Sequence, residues 1–325
     1  GTVNFTTDGG TGHVTFPTAN AKISGSSTST GSFGVLRLAN YNQGYGSATT
    51  NVVFGNAAGA ALTSGAGNTI VGQAAGNDVT TGATNTLLGY EAGDKVTTGA
   101  NNVMVGADAG GTATLSSGSV FIGALAGQSV TTGNMNIAVG YDAMNGGATT
   151  GNNNIAIGAS AGDALTSGNL NIFMGRNAGG TSTTDAYNIL IGHDAGSGTW
   201  TGSPSYQNTV VGDSTMKGAM NGANYNSAFG SYTLYSVTTG DSNTSLGHGS
   251  GYLITTGTQN TLVGRNAGDA ATIARYNVAI GYDALGTDDV GDKTVAIGHS
   301  ALFSQNSDSN NETTGNTAVG NSAGY

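Results

Sequence analysis

Among side chains able to do acid-base work, this chain holds two glutamates, Glu91 and Glu312, far apart along its length. A hydrolytic pair needs two carboxylates held together with their pKa values driven apart, so these two do not form one. The densest acidic group is Asp288, Asp289 and Asp292, oxygen ligands of the type calcium takes. A calcium site needs six to eight oxygens, and the glycine-rich nonapeptide of calcium-binding repeats is missing, so a solvated loop is expected there. Of the four histidines, His193, His248 and His299 each directly follow a glycine in a recurring motif, an offset shared with Tyr90, Arg176, Arg265 and Tyr282. Such variety marks a solvent face. His13 stands apart, and no serine, histidine and aspartate trio rises above chance. There is no cysteine, so thiolate metal sites and disulfides are excluded. The expectation is a protein that is not an enzyme and uses no cofactor or metal.

Charge narrows the partners. Eight basic residues against a net charge of −10 leave no surface to track phosphates, so no nucleic-acid partner is expected. No apolar run approaches the roughly 20 residues that cross a bilayer, so no membrane insertion is expected. Glycine contributes 58 residues and proline two, without a Gly-X-Y period, which excludes a collagen helix and makes the glycines markers of tight corners. Glycine runs such as Gly65-Ala-Gly67 recur at every corner and therefore carry no phosphate-loop meaning.

The elements that must hold these residues emerge from the period. A motif of Asn, three mainly apolar residues and Gly appears in Asn68-Thr-Ile-Val-Gly72, Asn85-Thr-Leu-Leu-Gly89 and Asn102-Val-Met-Val-Gly106. It recurs every 17 or 18 residues from Gly55 to Gly320 in sixteen copies, interrupted by insertions only after Gly192 and Gly298. So short a unit cannot hold a helical hairpin, whereas a β-branched triplet closed by glycine suits a strand and a corner. The reading is all-β: a parallel β-roll or β-helix solenoid of about sixteen ~17-residue coils over residues 51–325, following an N-terminal cap or connector at 1–50. At ~4.8 Å per paired strand the stack would extend on the order of 75 Å, and histidines three coils apart would lie ~14 Å apart, too far for one metal.

Positions within the unit can be assigned roles. The alanine three residues past the glycine, as in Ala75, Ala92 and Ala109, is small because the opposite wall lies close. Asn opens fourteen of the sixteen motifs, with Ser119 and Thr294 the exceptions, and a stacked amide ladder explains it better than a ligand row. The residue before each glycine, for example Val71, Leu88 and Ile122, and the one two earlier are expected to fill the interior. The row between them holds Val53, Ile70, Leu87, Met104, Phe121, Phe173, Leu190, Val210 and Leu262, with alanine in other coils and Ser245 as its one break. By alternation it is expected to point outward and to meet the same row of sister chains on a rotation axis.

The segments Asn136-Ile-Ala-Val-Gly-Tyr-Asp-Ala-Met144 and Asn277-Val-Ala-Ile-Gly-Tyr-Asp-Ala-Leu285 resemble the repeats of bacteriophage tail fibre and tailspike shafts. Asn154-Ile-Ala-Ile-Gly158 resembles the head repeats of trimeric autotransporter adhesins of the YadA type. Both resemblances cover residues 51–325 and imply a homotrimeric parallel β-roll on a virion or at the cell surface, outside the cell. The expected function is a structural shaft taking part in host or surface attachment. Alternatives are a cell-surface adhesin head and an ice-binding solenoid, the latter suggested by the threonine pairs at 80–81, 97–98 and 131–132. The fibre resemblance also implies that the chain continues past Tyr325 or was cleaved there from a folding module. Since a uniform rod offers no unique site, the insertion from Ser197 to Gln207, with Trp200, Pro204 and Tyr206, is the expected contact loop for a glycan or protein receptor. The second, from Phe303 to Gly315, is polar and acidic.

Overall fold

The computed structural model describes residues 50–200, 202–307 and 313–325. The expectation for the N-terminal segment, His13, Glu312 and the middle of the second insertion therefore lie outside the described residues. Every Asn-x-x-x-Gly motif becomes one three-residue strand, from β1 (Val52–Phe54) through β5 (Val120–Ile122) and β8 (Ile172–Met174) to β16 (Thr317–Val319). All sixteen pair in sequence order into a single parallel sheet, in register, with Val53 beside Ile70 and Ile70 beside Leu87. The protein is a parallel β-solenoid with no helix among the described residues.

Each coil is shaped by its corners. The strand-ending glycine takes φ near +135°, as at Gly140, where a Cβ would run into the carbonyl of the glycine one coil on. Only glycine tolerates that approach. The following turn uses two left-handed residues, two and four positions later, such as Asp142 (φ 62°) and Met144 (φ 56°). Between them the alanines Ala75, Ala92, Ala109, Ala126 and Ala143 are all fully buried, as their size predicts.

The core itself inverts the expected facing. Val53, Ile70, Leu87, Met104, Phe121, Phe173, Leu190, Val210 and Leu262, assigned to an intermolecular axis, all lie inside the chain's own coil, and none is more than 7% exposed. The flanking rows that were to fill the interior face out instead: Leu88 is 45% and Ile122 41% exposed. Alternation fixes which residues share a face but not which face is inside. Here the Asn and the central residue share the inner one.

Packing along the core works by volume exchange across the coil. Where the central residue is large, the residue four past the glycine is Gly: Phe121 faces Gly127 and Phe173 faces Gly179, and a Cβ added at either would lie 2.6–2.7 Å from the ring. In four of the six coils with a central alanine that position carries a buried long chain, Ala138 going with Met144, Ala228 with Leu234, Ala279 with Leu285 and Ala296 with Leu302. Beside Ala156 and Ala318 it is Gly162 and Gly324, and Phe173 and Leu302 of adjacent coils reach over them. Interiors are packed to crystal density, so the two positions must compensate. Ser245 breaks the apolar row without being orphaned, because its Oγ lies 2.7 Å from the Oγ of Ser250, which replaces the usual turn alanine.

The asparagines form the ladder the sequence predicts, though through the backbone more than through amide pairs. Asn154 Oδ1 accepts the backbone N–H of Asn171 at 3.0 Å, and its Nδ2 donates to Gly168 O at 2.8 Å. The rungs Ser119 and Thr294 keep the chain going, each donating its own N–H to the asparagine one coil before. Asn154→Ala should leave the Asn171 N–H and the Gly168 carbonyl unpaired in a dry site. Each orphan costs ~1–3 kcal/mol, so the loss expected from the two is about 2–6 kcal/mol, measurable as a lowered urea midpoint.

Candidate interaction surfaces

The sheet's outward face is built from the two flanking residues of each strand. The second of these columns is apolar in every coil, from Phe54 and Val71 to Ile297 and Val319, while the first alternates Val and Ile with Thr and Ser. Neither column carries a charge. Phe54 is 69%, Leu246 52% and Val319 67% exposed on the single chain. Sixteen strands at ~4.8 Å spacing and three residues of ~3.3 Å give a stripe on the order of 75 by 10 Å. That area exceeds the few hundred Å² of contiguous apolar surface a monomer ordinarily shows.

The first insertion does not present its tryptophan. Trp200 is 7% exposed and belongs to the core cluster, with its ring 3.1 Å from where a Cβ on Gly196 would sit. It plugs the interior at the corner where the next coil places the buried Met220, so it is an anchor for the insertion and not a contact residue. Pro204 is half-buried and Tyr206 exposed, and Tyr206 donates its N–H to Asn224 Oδ1 at 2.8 Å. The three therefore do not make one aromatic patch.

Two of the acidic trio, Asp288 and Asp292, are held by hydrogen bonds within the fold. Asp288 is fully buried and accepts the Gly291 N–H at 3.0 Å, while Asp292 accepts from the Arg275 N–H at 2.7 Å and its guanidinium at 3.2 Å. Among the described residues no group of three His, Cys, Asp or Glu side chains could hold a metal ion. The histidines stay on separate coils: His193 bonds Asp213 at 2.8 Å, His248 meets the edge of Tyr232, and His299 stacks on Tyr282 at 5.2 Å. In the threonine pairs the first hydroxyl is consumed by the next coil, as Thr80 Oγ1 donates to Thr97 O at 3.1 Å. One column of free hydroxyls remains.

Turn-surface ion pairs bridge adjacent coils, with Lys95 between Asp78 and Asp94 and Lys217 on Asp194, at exposures that make each worth little. Asp269 differs, its carboxyl pushed up to about 6 by burial, with the nearby Asp283 adding to the shift. Its folded pKa lies above the ordinary carboxylate value of 3.8, so between the two the folded chain holds the extra proton. Stability is then greatest below about pH 4 and declines as pH rises through about 6. Asp269→Asn should flatten part of that decline in melting temperature against pH. The remainder belongs to Asp94, Asp108, Asp163 and Asp185, which burial raises in the same direction.

These features define the class as a parallel β-solenoid with one uncovered apolar sheet face. Compared with known proteins, the chain matches no family model, no curated protein and no solved structure.

Proposed function

We propose that this chain is the shaft of a virion fibre or comparable extracellular appendage, assembled as a homotrimer through its outward sheet faces and taking part in surface attachment. The observation that carries this reading is the uncharged, two-column apolar stripe running along all sixteen strands. A partner that covers such a stripe has to repeat with the strand spacing, and a second copy of this chain does so in register. The stripe offers on the order of 750 Å² per chain, which a ring divides between two neighbours at ~375 Å² each, so a single seam falls short of the ~800 Å² per partner of a stable pair and the closed ring holds through its seams acting together. Two unlike columns favour a ring over a face-to-face pair, since in a ring the Thr-bearing column of one chain meets the wholly apolar column of the next. The backbone supports the mechanical role: with every strand paired to the one before it, and an Asn ladder beside the sheet, stiffness is uniform along the array.

Light scattering on the purified chain tests the assembly. Three times the chain mass of 31.8 kDa is expected. A monomer at micromolar concentration would defeat the proposal. Electron microscopy of the source particle, with the chain labelled by antibody, would place it on a fibre or exclude it from one.

A further inference from the structure

The turn after each strand carries a side chain, five residues past the strand-ending glycine, that aligns coil upon coil. Over the last six coils this row reads Tyr235, Tyr252, Asp269, Gly286, Phe303 and Tyr325. Tyr235 and Tyr252 stack with centroids 5.0 Å apart and planes within 8°, and Phe303 and Tyr325 stack at 5.7 Å and 8°. The ring of Phe303 lies over Gly286, where an added Cβ would stand 2.6 Å from two ring carbons. Two rungs thus lack a ring of their own, and with Phe303 over Gly286 the open one is at the level of Asp269. A cavity of about 280 Å³ occupies it, lined by Tyr232, His248, Gly249, Tyr252, Asn266 and Asp269.

The chemistry of this slot is amphipathic in a specific way. One wall is the exposed Tyr252 ring, and Tyr232 and His248, in edge contact at 5.7 Å, form another. The opposite side carries acceptors. Asn266 uses its Nδ2 on Asp283 at 3.1 Å, which leaves Oδ1 to accept. Asp269 forms no ion pair among the described residues, and its carboxylate accepts from the backbone N–H groups of Asp269 and Ala270. We propose that the slot binds a neutral pyranose ring, one C–H face against Tyr252 and adjacent hydroxyls donating to Asp269 and Asn266.

A phenyl side chain from a protein partner would fill the same volume, but it would cover the carboxylate's outward lone pairs without offering them a donor, which is costly. A pyranose has an apolar face and a rim of donors, and the slot stands near the small end of ligand cavities, the size of one sugar unit. Acidic sugars are disfavoured by the carboxylate and by the net charge of −10. The inference goes beyond the shaft reading and does not depend on it, because every residue of the slot comes from one chain and lies in the turns, off the strands' outward face.

Saturation-transfer NMR on the full chain, with methyl β-glucoside, methyl β-galactoside and methyl N-acetyl-β-glucosaminide as probes, tests it directly. At least one glycoside should receive saturation, strongest on the ring protons of a single face. Asp269→Asn and Tyr252→Leu should each weaken that binding at least tenfold, whereas Tyr282→Ala, outside the slot, should leave it unchanged. Tyr252→Leu keeps bulk on the turn, and the melting curve of each variant confirms folding. Absence of transfer to all three probes overturns the proposal, as does undiminished binding by either folded slot variant. Both results are read independently of the chain's mass, so a failure here is distinguishable from a failure of the trimer.

Discussion

Aspartate at Ile122 and at Leu246 together should convert the assembly to folded monomers, while aspartate at the adjacent Phe121 should prevent folding altogether. The two sites differ only in the face they occupy. Ile122 is 41% and Leu246 52% exposed on the isolated chain, so a carboxylate there stays hydrated in the monomer and loses its water only if another copy covers it. Burying even one unpaired charge costs several kcal/mol, and a cyclic assembly repeats that cost at every interface. Phe121 is fully buried within its own coil, so the same substitution there meets the cost at folding. Light scattering and circular dichroism on the two variants separate the outcomes. If the Ile122→Asp, Leu246→Asp chain keeps the mass of the parent, the outward face is not the assembly surface.

Truncating Phe121 to alanine should cost about 3–5 kcal/mol, the range for emptying a well-packed aromatic site. Gly127→Met alone should also destabilise, because its side chain begins where the Phe121 ring already lies. Combined, Phe121→Ala and Gly127→Met reproduce the Ala138 and Met144 pair of the next coil, where Met144 has φ 56° against 61° at Gly127. The double variant should therefore lose less than the two single losses added together, with a coupling of ~1–3 kcal/mol between positions. Urea midpoints for the four proteins close the cycle. Additive losses would show that the two positions do not exchange volume, and that coil cores tolerate voids better than dense packing implies.

Much of the architecture was legible from the residue order. The 17-residue period, the glycine corners, the buried turn alanines and the asparagine ladder each follow from a local requirement. A left-handed turn, a close wall or a polar group beside a strand end constrains the residue type wherever it occurs. The coil interior was not legible in the same way, because a three-residue strand has only two parities and here both carried apolar side chains. The signal was present in weak form: the row that tolerates Thr69, Thr86, Ser227 and Thr244 is the one that can meet water, and the row whose single Ser245 needs Ser250 to satisfy it is the one that cannot. Trp200 was misplaced for a related reason. An aromatic residue in an insertion satisfies a receptor or a void equally well by type, and only the coil cross-section shows that the void is there. The sequence by itself determined the repeat, its corners and its ladder, because those are nearest-neighbour properties of a chain. Which face became core, where the tryptophan went and where an aromatic ladder lost its rung were decided by the tertiary structure, because those depend on volumes that distant residues fill together.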